Sequence, residues 1–215
     1  MEIIPRETRK ITYSTEIRNL IKRLSLSEYQ KAVLIGTILG DGSLEPNWSH
    51  TNYKLTVAQN IVQKDYVDWK YNIFKDWVLT EPKFNKINNS FRFRTISHRE
   101  ITGFRNEFYV NGKKVIPENI SNYLNNPLVL AVWFMDDGNR VKYKNYLVGY
   151  HINSQSFTYE ENIILARILN LNFNIKCKIQ RNHGYFRLYI GARDRDKFKN
   201  IVSEFIIPSM KYKLG

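Results

Sequence analysis

The chain contains one apolar run twice. Residues 34–42 read LIGTILGDG and residues 130–138 read LAVWFMDDG, and both runs end in Asp-Gly. The second run follows the first by 96 residues, a shift that aligns Asp41 with Asp137. Because a duplicated chain folds as paired units, the order of elements in one copy constrains the other copy. The sequence therefore predicts two related halves.

Other landmarks keep the same order in both copies. The shift aligns Gln59 with Gln155, and with a small drift it aligns residues 116–117 with residues 207–208. Apolar spacing and alternation indicate helix, two strands, helix, two strands, helix in each copy. We therefore expect an α+β fold of two pseudo-twofold related αββαββα halves. The predicted organisation is an N-terminal arm with one helix (1–25), a first half (26–117), a polar linker (118–127) and a second half (128–215).

Net charge indicates the class of partner. The chain has 33 Lys and Arg residues against 20 Asp and Glu residues, a formal charge of +13. Such a surplus favours a polyanion and attracts it over a distance, which points to nucleic acid, although a basic surface can also serve solubility alone. The longest apolar run, Leu128–Met135, is far shorter than the roughly 20 residues that a membrane-spanning helix needs. No membrane partner is predicted.

The alternating segments predict that charge is sorted by sheet face. Arg92 and Arg94 alternate with Phe91 and Phe93, whereas the acidic residues concentrate on the predicted helices. A wet sheet face normally carries some Lys and Arg, so the absence of acidic partners is the informative part. Two basic faces would form one DNA-binding saddle, with Arg, Gln and Asn reading bases and Lys holding phosphates. The residues predicted to contact DNA are Lys54, Thr56, Gln59, Lys83, Lys86, Arg92, Arg94, Arg140, Lys142, Lys144, Asn153, Gln155, Lys176, Lys178, Gln180, Arg187 and Tyr189.

Cysteine usage and the N-terminal segment predict an intracellular protein. A single cysteine, Cys177, excludes an internal disulfide, and residues 1–12 lack the apolar core of a secretory signal. The four histidines are scattered without zinc-ligand spacing. Abundant Lys, Asn, Ile and Tyr suggest an AT-rich genome, and hence a mitochondrion, another organelle or the cytoplasm of a low-GC microbe.

The two Asp-Gly pairs are the candidate catalytic site. Alone, either pair reads as a turn or a helix end. However, each Asp follows an apolar helix, where a carboxylate opposes the helix dipole. If the helices pack together through the small residues Gly36 and Gly40, the carboxylates of Asp41 and Asp137 converge with the last carbonyls of both helices. That oxygen-only set, including residues Gly40 and Asp136, suits Mg²⁺, with Mn²⁺ as a substitute.

The two runs, together with NSQSFT (153–158) and IPSMKYKL (207–214), resemble the single-chain LAGLIDADG homing endonucleases over about residues 26–214. The resemblance implies that Asp41 and Asp137 bind the catalytic metals and that Lys114 and Lys213 assist. It further implies a monomer that makes a staggered double-strand break in a long asymmetric DNA site. One departure is that Gly36 of the first motif corresponds to Val132 in the second.

Two other functions remain as alternatives. Proteins of this family can act as maturases, which bind intron RNA during splicing, and others with this fold regulate DNA without cutting it. Both alternatives are disfavoured by the presence of an aspartate in each motif, at Asp41 and Asp137.

Overall fold

The computed structural model describes residues 15–215. Its helices are α1 (Thr15–Arg23), α2 (Glu28–Leu39), α3 (Lys64–Ile73), α4 (Arg99–Phe108), α5 (Ile120–Tyr123), α6 (Pro127–Asp137), α7 (Tyr159–Phe173) and α8 (Ala192–Val202). Its strands are β1 (Ser43–Pro46), β2 (Tyr53–Asn60), β3 (Lys83–Asn85), β4 (Ser90–Arg94), β5 (Tyr109–Val110), β6 (Lys113–Lys114), β7 (Gly138–Tyr143), β8 (Tyr146–Ile152), β9 (Cys177–Asn182) and β10 (Tyr185–Gly191). Short 3₁₀ turns follow β2, α3 and α8, and another spans Pro208–Lys213.

The predicted order of helix, two strands, helix, two strands, helix is confirmed in both copies. The first copy runs from α2 to α4 and the second from α6 to α8, which makes the fold α+β. The apolar pattern predicts the first helix of each copy, which carries the Asp-Gly motif, at residues 26–40 and 126–136. These two motif helices are α2 and α6, and their ends lie within two residues of the prediction. The saddle and the twofold relation of the halves stay predictions from the repeat.

The chain forms two compact units, and two of the three boundaries between them fall inside helices α2 and α4. One unit comprises the described residues up to Leu34 together with Gly42–Arg105, and the other comprises Ile35–Asp41 and Asn106–Gly215. This division differs from the predicted boundaries after residues 25, 117 and 127. In particular, the end of the first motif helix, with Asp41, belongs to the same unit as the second motif. Residues 1–14 of the predicted arm lie outside the described residues.

In the first unit, a four-stranded antiparallel sheet has the order β1-β2-β4-β3. Leu55 and Val57 of β2 are buried, and Tyr71 of α3 lies edge-on to Phe93 of β4 at 5.9 Å. An apolar face covered by a helix leaves the other face of such a sheet to solvent.

In the second unit, an antiparallel sheet with the order β7-β8-β10-β9 packs on α7 and α8. Phe134 of α6, Tyr150 of β8 and Phe198 of α8 form a cluster of rings with centroids 4.9–5.5 Å apart, and all three are fully buried. This cluster ties the motif helix to the sheet. Helix α7 begins with a capping box between Thr158 and Glu161, which satisfies two N–H groups at the start of the helix.

The segment predicted as a polar linker, 118–127, contains α5. Ile120 and Leu124 are buried, and Asn172 of α7 donates hydrogen bonds to the carbonyls of Ser121 and Leu124. The segment is therefore packed against α7 by side-chain and backbone contacts that its polar composition does not reveal. Within the described residues, no helix has the length and apolar character to cross a membrane.

Candidate active site

The end of the first motif helix packs directly on α6. A Cβ atom built on Gly36 would lie 2.7 Å from the Val132 Cβ and 2.7 Å from the Val129 carbonyl oxygen. These distances are shorter than van der Waals contact, so only glycine lets the backbones approach this closely at residue 36. A single glycine is enough for this close approach, because the Val132 side chain of α6 fills the space that the missing Cβ of Gly36 leaves.

The second close contact joins Gly40 and Asp136. A Cβ on Gly40 would lie 2.7 Å from the Asp136 Oδ2. Gly40 and Asp136 are 96 residues apart, as are Gly36 and Val132, so each position faces its own counterpart in the repeat. This pairing is what a local twofold relation between the two helix segments produces, and it brings the two Asp-Gly ends together.

Three carboxylates gather at these helix ends. Asp41 is exposed, Asp137 is half-buried, and Asp136 is only 7% exposed. Burial, reinforced by the carboxylates of Asp41 and Asp136, raises the pKa of Asp137 to about 8, although Lys114 and Lys213 act in the opposite direction. The raised pKa therefore reflects mainly the burial of the Asp137 carboxylate, and the two neighbouring carboxylates add to it.

Each candidate lysine binds the end of the motif helix of its own copy. Lys114 Nζ, at the end of β6, donates to the Gly40 carbonyl at 2.5 Å. Lys213 Nζ, in the last 3₁₀ turn, donates to the carbonyls of Met135 at 2.5 Å and Asp136 at 2.9 Å. The carbonyls of a last helical turn lack intrahelical partners and lie at the negative end of the dipole, where an ammonium group is stabilised.

These contacts narrow the set of possible metal ligands. The carbonyls of Gly40 and Asp136 accept hydrogen bonds from ammonium groups, which repel a metal cation. Over residues 15–215, no group of three or more His, Cys, Asp or Glu side chains is arranged to hold a metal. Mg²⁺ commonly uses one or two carboxylates and completes its shell with water and a substrate phosphate. The carboxylates of Asp41 and Asp137 fit that requirement.

The polar face of the first sheet carries most of the residues predicted to contact DNA there. Residues opposite each other in neighbouring strands share a face, and the register pairs Thr56 with Arg94 and Lys83 with Arg92. Alternation along β2 adds Lys54. This face also carries Glu45, which forms a two-oxygen ion pair with Arg92 at 2.9 and 3.0 Å. It is therefore less uniformly basic than predicted.

Two predicted contacts of the first unit lie elsewhere. Gln59 is in register with Phe91 and is 8% exposed, so it belongs to the apolar face. Lys86 follows β3, in the turn before β4. Strand alternation decides the position of Gln59, because Gln59 is an odd number of residues from Thr56.

In the second sheet, basic and polar residues of β9 and β10 lie on the predicted face, whereas Arg140 of β7 does not. Arg187 pairs with Gln180, and Tyr189 pairs with Lys178. Arg140, by contrast, is in register with Tyr150, a fully buried core residue, so its side chain leaves the sheet on the core side. Arg140 is still exposed, because β7 is an edge strand.

The tip of the β7–β8 hairpin also departs from the predicted alternation. A register shift interrupts the pairing between Val141 and Lys142. Lys144 has a positive φ of 44° and forms the turn, with its ammonium group 5.6 Å from the centre of the Tyr143 ring. Neither Lys142 nor Lys144 therefore continues the predicted basic face. Lys176 directly precedes β9.

Asn153 and Gln155 lie in the loop after β8. The Asn153 side chain bonds to the Asp137 carbonyl at 2.8 Å and to Asn139 Oδ1 at 2.9 Å. Asn153 therefore contacts the end of the motif helix, in addition to any DNA contact. Gln155 is half-buried in the same loop.

His151 is a residue of the polar face that was not predicted from the sequence. His151 is in register with Asn139 and Tyr189, and its Nε2 lies 2.9 Å from Gln180 Oε1. Burial lowers the pKa of His151, which favours its neutral, hydrogen-bonding form. Residues two apart in a strand share a face, so the predicted contact at Asn153 could have indicated His151.

The chain is similar in sequence to a protein family and to individual proteins. A sequence profile of the LAGLIDADG DNA endonuclease family matches residues 31–198. A probable intron-encoded endonuclease 1 of Wickerhamomyces canadensis is 34% identical over 202 residues, covering 88% of this chain and 85% of the relative. The cytochrome b mRNA maturase bI2 of Debaryomyces hansenii is 26% identical over 223 residues, covering 94% of this chain and 82% of the relative.

Solved structures show the same fold. The homing endonuclease I-WcaI, bound to its DNA recognition sequence, matches with a TM-score of 0.85 and 31% identity, covering 95% of this chain and 94% of that protein. The meganuclease I-SmaMI, at 11% identity and a TM-score of 0.53, shares the fold over 84% of this chain and 86% of its own. With the family profile spanning both motifs, the chain belongs to the LAGLIDADG DNA endonuclease family.

Proposed function

We propose that the protein is a site-specific homing endonuclease that acts as a monomer. It makes a staggered double-strand break in a long asymmetric DNA site by metal-dependent phosphodiester hydrolysis. The observation that carries this proposal is the meeting of Asp41, Asp137 and the two lysine-capped helix ends in one unit. The similarity of the protein to I-WcaI, which binds a DNA recognition sequence, supports DNA as the substrate.

In this proposal, the carboxylates of Asp41 and Asp137 hold divalent cations, Mg²⁺ or Mn²⁺. When bound, such a cation lowers the pKa of water and stabilises charge on a phosphate. A carboxyl group with a pKa of about 8 is largely protonated at neutral pH, and cation binding would favour its ionised form. Asp137 thus couples metal binding to proton release.

Lys114 and Lys213 act on the phosphate group that is cleaved. An ammonium group carries three N–H donors, and the bonds to the helix carbonyls hold each one at the end of its motif helix. From there, the lysines stabilise negative charge as it develops on the phosphate. Each half serves one strand, and the unlike polar faces of the two sheets suit an asymmetric site.

The test is selection of cleaved sequences from a randomised double-stranded DNA library in Mg²⁺, with Ca²⁺ as the binding-only condition. We expect one long asymmetric site with offset cuts on the two strands. Asp41→Asn and Asp137→Asn should each abolish the double-strand break while DNA binding persists. Full double-strand cleavage by both variants would exclude the proposed site.

A second candidate function is intron-RNA binding as a maturase. It is favoured by the similarity to the Debaryomyces hansenii maturase, which extends over 94% of this chain. A splicing assay with an intron transcript tests it, with the Asp41→Asn and Asp137→Asn variants as separation-of-function controls. Splicing that survives both substitutions would add this role, whereas protein that cuts DNA without promoting splicing would exclude it. A mitochondrial, other organellar or microbial location stays a prediction.

A further inference from the structure

Asn153 makes two hydrogen bonds to one backbone carbonyl of the active site. Its backbone N–H donates to the Asp137 carbonyl at 2.9 Å, and its side-chain Nδ2 donates to the same oxygen at 2.8 Å. The same Nδ2 also donates to Asn139 Oδ1 at 2.9 Å. The backbone bond continues the β7–β8 ladder, whereas the side-chain bonds depend on the identity of this residue.

The accepting carbonyl lies where an unsatisfied acceptor would be costly. Asp137 is the last residue of α6, so its carbonyl points out of the helix at the negative end of the dipole, close to the other carboxylates. Two N–H donors fill both lone pairs of this oxygen and offset part of that negative potential. These two bonds also fix the peptide plane that follows the Asp137 Cα. They thereby restrict the orientation of Asp137, whose carboxylate holds a cation in the proposed function.

The loop that carries Asn153 is itself held by buried hydrogen bonds to Asn162 of α7. Ser154 Oγ donates to Asn162 Oδ1 at 2.5 Å, and Asn162 Nδ2 donates to the carbonyls of Phe157 at 3.2 Å and Thr158 at 2.8 Å. Ser154 and Asn162 are both 0% exposed. Asn153 is therefore held in place before any substrate binds, as a positioning group must be.

The first copy has no counterpart to this side chain. The shift of 96 residues that aligns Asp41 with Asp137 aligns Asn153 with Val57, and Ala58 follows. Neither side chain has a hydrogen-bond donor. The aligned side chains of the first copy therefore do not repeat the bond that Asn153 makes in the second copy.

We infer that Asn153 is a positioning residue for Asp137 and that it sets the rate at which one of the two DNA strands is cut. This inference rests on the proposed function, in which each half serves one strand. Outer hydrogen-bond partners of metal-binding groups are worth about 10–100-fold in activity or metal affinity. Loss of the Asn153 donor should therefore slow the cleavage of one strand, so that the enzyme mainly nicks the other.

The experiment measures strand-specific cleavage on a supercoiled plasmid carrying the selected target site. In Mg²⁺ and with excess enzyme, Asn153→Ala and Asn153→Asp should each slow one strand about tenfold or more, so that nicked circles accumulate. End-labelled duplex identifies the slow strand. Asn153→Asp keeps the side-chain volume but cannot donate a hydrogen bond. A defect that both variants share is therefore attributed to the lost N–H donor. Binding measured in Ca²⁺ should stay close to wild type.

Ser156→Ala, an exposed change in the same loop, is the control and should leave both strand rates unchanged. Equal slowing of both strands, or wild-type rates in both Asn153 variants, would overturn the inference. Weaker binding with an unchanged strand ratio would overturn it too, and would indicate a DNA contact instead.

A second measurement does not depend on cutting. In the free protein, the carbonyl ¹³C resonance of Asp137 reports hydrogen bonds to that oxygen. It should move in Asn153→Ala, while the Asp41 carbonyl resonance stays in place. If the wild-type protein cuts no DNA, the proposed function fails, and this shift still decides whether Asn153 holds Asp137. An unmoved Asp137 resonance would overturn the positioning role.

Discussion

At the scale of single residues, Lys213 combines structure and chemistry in one side chain. It is 8% exposed and donates to two carbonyls at the end of α6. Buried lysines need such partners, because an unpaired buried charge is strongly unfavourable. The same bonds that stabilise the helix end therefore place the ammonium group beside Asp137.

We expect Lys213→Met to lower both activity and stability. Loss of charged hydrogen bonds of this kind costs about 2 kcal/mol of unfolding free energy, and the carbonyls of Met135 and Asp136 would lose a donor. Chemical denaturation and single-turnover cleavage measure the two effects. Lys211→Met, in the same turn but exposed, is the matched control. Equal stability of the two variants would contradict the capping role.

A pH prediction concerns Cys177. Burial, with Asp194 adding to it, raises the pKa of its thiol to about 12. Since the thiolate is the reactive form, a raised pKa leaves almost all of the group protonated at pH 8, and reactivity should rise only well above that pH. A chromogenic disulfide reagent should thus modify the folded protein slowly and the denatured protein rapidly. Fast modification of the folded protein at pH 8 would refute this prediction.

At the scale of elements, the approach of the two motif helices depends on glycine. Gly36→Ala would bring its new Cβ within 2.7 Å of Val132 Cβ and the Val129 carbonyl, so we expect destabilisation of about 1–3 kcal/mol from overpacking. Gly103→Ala is the control. It lies in α4 with no atom near the new Cβ, and alanine there should stabilise the helix by up to about 1 kcal/mol.

Thermal unfolding of both variants measures the difference. Opposite signs are expected, because helix propensity favours alanine at both positions and packing opposes it only at Gly36. A Gly36→Ala variant as stable as Gly103→Ala would mean that the helices can separate without cost.

The elements also show where sequence reasoning reaches its limit. Alternation correctly placed Arg92 and Arg94 on the polar face of β4, since they are exposed while Phe93 is buried. The same rule put Arg140 on the polar face of its sheet, whereas its register with Tyr150 puts it on the core side. Alternation divides a strand into two faces, but only pairing with a neighbouring strand shows which face meets the core.

At the scale of the whole molecule, a formal charge of +13 predicts salt-dependent DNA binding. Affinity should fall by about 0.9 log units per log unit of salt for each phosphate neutralised. Titration of a labelled target duplex in Ca²⁺ from low to high KCl measures the slope. Lys83→Ala, an exposed position on the polar face of the first sheet, should reduce the slope by about one. An affinity insensitive to salt would argue against a basic DNA-binding surface.

The sequence by itself determined the order of the elements and the pairing of Asp41 with Asp137. Both follow from local periodicity and from a repeat, which need no knowledge of distant contacts. Only the tertiary structure showed that Lys114 and Lys213 bind helix carbonyls, that Gln59 faces the apolar side, and that Asn153 holds the Asp137 carbonyl. These features depend on strand register and on contacts between residues far apart in the chain, and local sequence patterns carry no direct record of either.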